Sequence, residues 1–297
     1  MASSDAPSTS TFTSRDGFEI VTYRWTPKRA PRGLVQLTHG MGEHVLRYHE
    51  LSLALNDMGY LVAGQDHRGH GTTAGPEVSF GNIGAAGWTE LVNDIHILNG
   101  VLRKEHPDLP LALIAHSMGS FAAQQYLLEH SDEVDAVVLT GTALADLIEP
   151  TLDLDKPFDL AAFNAPFAPA RTDCDWLSRD ESQVDAYLAD PRCGFGLDIA
   201  AMKALFAASR AVADPQRMAA VRTDLPIYVA VGDQDPVNGQ LALVHPLIDR
   251  YRAAGLTELT LMTYPGARHE LFNETNRGEV IADMLSWLDR IGFHPQT

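Results

Sequence analysis

Ser117, His269 and one of two aspartates, Asp233 or Asp235, are the side chains whose types and spacing in this sequence could do chemistry together. A serine hydroxyl is a weak nucleophile, so it needs a base within hydrogen-bond reach and a carboxylate to orient that base. Ser117 stands in Ala115-His116-Ser117-Met118-Gly119, after the apolar run Leu111 to Ile114 and before a helix-compatible stretch from Phe121 to His130. A strand, a sharp turn and a helix, with small residues two places either side of the serine, expose the hydroxyl at the strand's carboxyl end. Ala115 stands where that elbow usually has glycine. His269 closes Pro265-Gly266-Ala267-Arg268-His269, and both aspartates lie in Gly232-Asp233-Gln234-Asp235-Pro236-Val237. Position alone leaves the choice of aspartate open. The chemistry such a set performs is acyl transfer through an ester on the serine.

Metal chemistry finds less support. His269-Glu270-Leu271-Phe272-Asn273 begins like a helical zinc motif but has no second histidine four residues on, and no thiol pair has ligand spacing. No metal and no cofactor is expected.

The elements that must hold these residues follow from the apolar pattern. Residues 10–27 read as a hairpin around Asp16-Gly17, and Leu34 to Leu37 as a strand entering Thr38-His39-Gly40-Met41-Gly42-Glu43-His44. Two glycines bracketing one residue at a strand's end permit amide hydrogens to point the same way. A helix with Leu51, Leu55 and Met58 stops at Gly59, and the strand from Tyr60 to Ala63 ends in Asp66-His67-Arg68-Gly69-His70-Gly71. Residues 87–106 form an amphipathic helix, with Trp88, Leu91, Val92, Ile95, Leu98 and Leu102 on one face. Val134 to Leu139 is the strand after the elbow helix. Strands are expected again at Leu225 to Val231 and Leu259 to Tyr264, with helices from about Gln240 to Ala254 and through Val280 to Leu288. Strands alternating with helices describe a mostly parallel sheet covered on both faces, with ligands at the strands' carboxyl ends.

Between about Leu144 and Met218 prolines, among them Pro150, Pro157, Pro166, Pro169 and Pro191, interrupt short stretches rich in large apolar residues, including Leu147, Ile148, Leu152, Phe158, Phe163, Phe167, Phe195, Leu197, Met202, Leu205 and Phe206. This segment reads as an inserted helical cap, residues 144–218, on a core formed by 1–143 and 219–297. Some of its apolar side chains are expected to line an acyl pocket and the others to give the cap a core of its own.

The 297 residues suffice for one large domain, and a formal charge of −17 disfavours nucleic acid and anionic membrane surfaces as partners. The opening residues lack a basic start followed by an apolar core, and no apolar run is long enough to span a bilayer, so neither a secretory signal nor a membrane span is expected. Two cysteines, Cys174 and Cys193, exclude a disulfide framework and read as free thiols of a cytoplasmic protein, with a single bridge between them as the alternative.

From about residue 12 to 292 the chain resembles the α/β-hydrolase superfamily, and within it the monoacylglycerol lipase and lysophospholipase group of serine aminopeptidase-like hydrolases. The resemblance rests on His39-Gly40-Met41-Gly42-Glu43-His44 with Arg47-Tyr48, on Asp66 to Gly71, on His116-Ser117-Met118-Gly119, on Gly232 to Val237 and on His269 to Glu274. The order Ser117, aspartate, His269 agrees with it. It implies an α/β-hydrolase fold with Ser117 as nucleophile, His269 as base and then acid, and Asp235 rather than Asp233 as the orienting carboxylate. It further implies an oxyanion hole from the backbone amides of Met41 and Met118. His39 and Glu43 then hold their loop, His116 is a structural neighbour, and His67 and His70 are solvated or stabilise their turn. The implied substrate is a small neutral ester with an acyl chain, such as a monoacylglycerol. A lysophospholipase, an aminopeptidase with a cap carboxylate for the substrate's amine, and a non-catalytic binding protein on the same fold are the alternatives.

Overall fold

The computed structural model describes residues 5–75 and 79–293. The first four residues of the segment in which no secretory signal was expected lie outside them. Strands β1 (Ser8–Thr13) and β2 (Glu19–Trp25) form the expected hairpin, and β3 (Gly33–Thr38) leads through a 3-10 turn to helix α1 (His49–Asp57). β4 (Tyr60–Gln65), α2 (Gly87–Glu105), β5 (Leu111–His116), α3 (Met118–His130) and β6 (Ala136–Thr140) follow. After the inserted segment come β7 (Ile227–Gly232), β8 (Leu259–Tyr264) and the long helices that flank them.

All eight strands form one sheet in the order β1-β2-β4-β3-β5-β6-β7-β8. The pairs β1/β2 and β2/β4 are antiparallel and the others parallel. Every residue of β3 to β7 is buried, which is why these strands read as unbroken apolar runs rather than as alternating ones. One face packs against α2 and α3 through Leu91, Ile95, Ala122 and Tyr126, the other against α1 and the C-terminal helix through Leu51, Leu55, Met284 and Trp287. This is the layered arrangement that the resemblance implies. Among the described residues no helix is long and apolar enough to cross a membrane.

Element ends depart from the pattern where turn chemistry overrides it. β6 starts at Ala136, two residues after the apolar run begins. The helix expected from about Gln240 starts only at His245, because Gln240 and Leu241 take φ of +53° and +77° and leave the helical region.

The segment between β6 and β7 contains α4 (Ala145–Ile148), α5 (Glu181–Ala189), α6 (Ile199–Ser209) and α7 (Pro215–Met218), joined by 3-10 turns; α8 (His245–Ala253) and α9 (Arg277–Arg290) complete the chain. Asp180, Asp198 and Asp214 each cap the following helix through the side chain. The buried side chains of the segment, including Leu177, Tyr187, Leu205 and Phe206, belong to the same apolar cluster as α2 and α3. A separate core was expected here for part of the segment; these side chains share the main core instead.

Candidate active site

The site begins with how β5 ends. The Ser117 N–H extends the ladder by donating to the Thr140 carbonyl at 2.9 Å, and the Ser117 carbonyl then accepts the first bonds of α3 from Ser120 and Phe121. Ser117 joins the two with φ +52° and ψ −122°, a backbone that residues with a Cβ rarely adopt. Gly119 makes the turn feasible: a Cβ there would lie 2.5 Å from the carbonyl oxygens of both Thr38 and His39. Helix α3 therefore starts hard against the end of β3. The methyl group of Ala115 is buried and fits within the β5 ladder.

Three loops converge on this turn. His269 Nε2 lies 2.9 Å from Ser117 Oγ across 152 residues, and His269 Nδ1 lies 2.9 Å from Asp235 Oδ2. The other oxygen of Asp235 accepts the Val237 N–H at 2.9 Å, which fixes the carboxylate. Asp233 does something else: its Oδ1 accepts the Gly266 N–H at 2.8 Å and braces the turn before His269. The structure thus brings Asp235, and not Asp233, to the imidazole.

His269 and Asp235 are both buried. Burial pushes the imidazole pKa down, but the Asp235 carboxylate outweighs it, helped by Glu270 and Glu43, and the balance lies above the ordinary 6.5. His116 packs 4.7 Å from His269, ring centroid to centroid, and is pushed down to about 4 by burial and by His269. Its Nδ1 is bonded to Thr140 Oγ1 at 3.0 Å. It is an uncharged neighbour, as expected.

The loop after β3 lies alongside. Glu43 Oε1 accepts the Gly40 N–H at 2.6 Å and the Tyr48 hydroxyl at 2.7 Å. A methyl group on Gly40 would stand 3.1 Å from Ser117 Cβ, so the glycine backbone rests on the serine. Among the described residues, neither the Met41 N–H nor the Met118 N–H is taken by a backbone acceptor. His39 Nδ1–H donates to the Gly40 carbonyl at 2.7 Å, and its Nε2 accepts the His67 N–H at 2.9 Å. His39 and Glu43 therefore hold the loop, as read from the sequence. The solvated alternative for His67 and His70 is corrected: both are fully buried and kept uncharged by burial. His70 does stabilise its turn, with Nδ1 bonded to the Arg68 carbonyl at 3.1 Å.

An ion cluster that the sequence did not disclose backs this loop. Arg47 pairs with Glu270 through both guanidinium nitrogens, reaches Glu43 at 3.2 Å, and stacks 4.8 Å from the Tyr187 ring centroid. Burial pushes Glu270 up, but Arg47 outweighs it and holds the carboxyl below its usual range.

Above Ser117 and His269 lies a narrow cavity, about 50 Å³ of it open to water-sized molecules. Its walls are mostly apolar and come largely from the segment between β6 and β7: Ile148, Leu152, Phe158, Leu160, Phe163, Trp176, Tyr187, Met202, Leu205 and Phe206. Trp176 and Tyr187 were not singled out in the sequence, where a lone aromatic among polar neighbours is a weak signal. Trp176 packs 4.9 Å from the His269 ring, and its carbonyl accepts the His269 N–H at 3.4 Å. None of Asp146, Glu149, Asp153, Asp155 or Asp159 lines the cavity. Asp146 pairs with Arg250, Glu149 with Arg210, Asp153 with Lys156 and Asp155 with Lys203, while Asp159 caps a turn. Cys174 and Cys193 are free thiols.

Comparison with known proteins finds relatives that span most of the chain. Residues 29–276 match the family described as serine aminopeptidase, S33 (Hydrolase_4). The monoacylglycerol lipase of Mycolicibacterium smegmatis is 36% identical over 284 residues, covering 93% of this chain and 95% of that one. The monoglyceride lipase of Mus musculus is 29% identical, covering 92% and 88%. Among solved structures, a highly thermostable carboxyl esterase from Bacillus coagulans in complex with glycerol superposes with a TM-score of 0.86 at 29% identity, covering 96% and 99%.

Proposed function

This chain belongs to the serine aminopeptidase S33 family, has the α/β-hydrolase fold and is a carboxylic ester hydrolase; from that premise we propose that it cleaves neutral monoesters, monoacylglycerol first among them, through an acyl-enzyme on Ser117. The observation that carries the proposal is the unbroken hydrogen-bond chain from Ser117 Oγ through His269 to Asp235.

Ser117 Oγ attacks the ester carbonyl while His269 Nε2 takes its proton. Asp235 keeps the Nδ1–H tautomer and stabilises the imidazolium. The charge that develops on the carbonyl oxygen meets the amides of Met41 and Met118, which serve as the oxyanion hole. The alcohol then leaves with the proton from His269. Water next gives a proton to the same nitrogen and attacks the acyl carbon, releasing the fatty acid and restoring Ser117. His269 works as base and as acid in turn.

Residues 144–218 act as the cap over this site, and their apolar side chains receive the acyl chain. The aminopeptidase alternative needs a carboxylate free to hold an ammonium group. The cap acids named above are engaged elsewhere, and the acids that do line the cavity, Glu43 and Glu270, are both paired with Arg47. The support therefore lies with esters. Hydrolysis rates across a chain-length series of monoacylglycerols, beside a lysophospholipid and an aminoacyl amide, test the reading. Monoacylglycerol should be preferred; faster turnover of the lysophospholipid or the amide overturns it. Failure to label Ser117 with a fluorophosphonate would favour the non-catalytic alternative.

A further inference from the structure

A second set of side chains, unused by the ester chemistry, meets at the other end of α3. His96 on α2, His130 at the last turn of α3 and Glu133 just beyond it lie with their ligand atoms within 4.8 Å of one another. His96 Nδ1 stands 2.8 Å from Glu133 Oε2, and His130 Nδ1 stands 3.2 Å from Glu133 Oε1. The two imidazoles stack, with centroids 4.1 Å apart and planes at 18°. Tyr126 donates its hydroxyl to the same carboxylate at 2.9 Å, which orients it.

We propose that His96, His130 and Glu133 form a binding site for a divalent transition-metal ion of the zinc type. Around tetrahedral zinc, nitrogen and oxygen ligands at their usual bond lengths stand about 3.3 Å from each other, close to the 2.8 and 3.2 Å that separate the two imidazole nitrogens from the carboxylate here. The side chains are 28%, 21% and 29% exposed, so an ion enters from solvent and keeps water in its remaining positions. Two imidazoles select a borderline ion over magnesium or calcium. Binding asks that each neutral imidazole move its proton from Nδ1 to Nε2, freeing the Nδ1 lone pair, and that the stacked rings turn out of their near-parallel arrangement so that both in-plane lone pairs meet at one ion.

The electrostatics agree. The carboxylate supplies one negative charge, and the carbonyl end of α3 adds a partial one. The neighbouring guanidinium, Arg103, donates to the Glu133 carbonyl at 2.7 Å and to Asp135 at 3.1 Å, so its charge is answered. A competing cluster, His44, Asp190 and Cys193, fares worse. There Arg192 already occupies both oxygens of Asp190, at 3.0 and 2.7 Å, and a metal must displace or face that cation. The favoured site ties α2 to the end of α3, roughly 20 Å along the helix from Ser117. Metal bound there stabilises the folded chain without entering the reaction.

Calorimetric titration of the full chain with zinc chloride, after removal of metal by a chelator, tests the site. One saturable site is expected, weakened roughly tenfold or more in both His130→Ala and Glu133→Gln. Cys193→Ser should leave the affinity unchanged, and the cobalt-loaded protein should lack a thiolate charge-transfer band. Thermal melts without metal establish that each variant is folded, and His96→Gln replaces any that is not. Absence of saturable binding, wild-type affinity in any folded ligand variant, or loss of the site in Cys193→Ser overturns the proposal.

Discussion

Asp233 and Asp235 stand two residues apart on one loop and serve different partners: Asp235 Oδ2 meets His269 Nδ1 at 2.9 Å, and Asp233 Oδ1 meets the Gly266 N–H at 2.8 Å. One orients the proposed base; the other braces the turn that delivers it. Asp235→Asn should therefore lower kcat for ester hydrolysis by about 10⁴-fold, because the amide favours the wrong imidazole tautomer. Asp233→Asn should cost far less. Steady-state kinetics of the two variants on one ester checks the ranking.

Ser117→Ala removes the proposed nucleophile from a turn whose backbone a Cβ already occupies. Hydrolysis should fall by about 10⁶-fold with circular dichroism and melting temperature unchanged. Turnover near the wild-type rate in the folded variant counts against the assignment.

As the proposed base, His269 must be neutral to accept the serine proton, and the Asp235 carboxylate holds its pKa above 6.5. Below that raised value the imidazole is protonated and the enzyme idle, so kcat/KM should climb with pH through a midpoint above 6.5. In Asp235→Asn the same limb, read on the residual activity, should move to lower pH. A limb that stays in place would assign the titration to another group.

Gly119→Ala places a methyl group 2.5 Å from two backbone carbonyls that cannot swing aside. The start of α3 must then retreat from the end of β3, and with it the Met118 amide from the loop that carries Met41. A stability loss of about 1–3 kcal/mol in urea unfolding is expected. The loss in kcat should exceed the change in KM, because the displaced amide is a proposed donor to the transition-state oxyanion.

Arg47→Ala leaves Glu43 and Glu270 facing each other without their cation in a buried site. Removing one partner of such a cluster costs about 3–5 kcal/mol, measurable by denaturant titration at neutral pH. Arg47 holds the folded pKa of Glu270 below its usual 4.5. The stabilisation is therefore complete above the unfolded value and disappears as pH falls through the lowered one. The difference between wild type and variant should shrink in acid.

The sequence by itself determined the alternation of strands and helices, the elbow at Ser117 and the loop that carries His269. These are local properties: a buried parallel strand must be apolar along its length, and a sharp strand-to-helix turn needs small residues at fixed offsets. It also narrowed the carboxylate to two neighbours. The sequence pattern left Asp233 and Asp235 open between them, with only the family resemblance favouring the second, because both follow the same strand. Only the tertiary structure decided which carboxylate reaches His269, since that depends on how the loops after β7 and β8 cross. The burial of His67 and His70, the Arg47 cluster and the meeting of His96 with His130 and Glu133 were likewise invisible. Each joins residues from separate elements, and a one-dimensional pattern carries no distance between them.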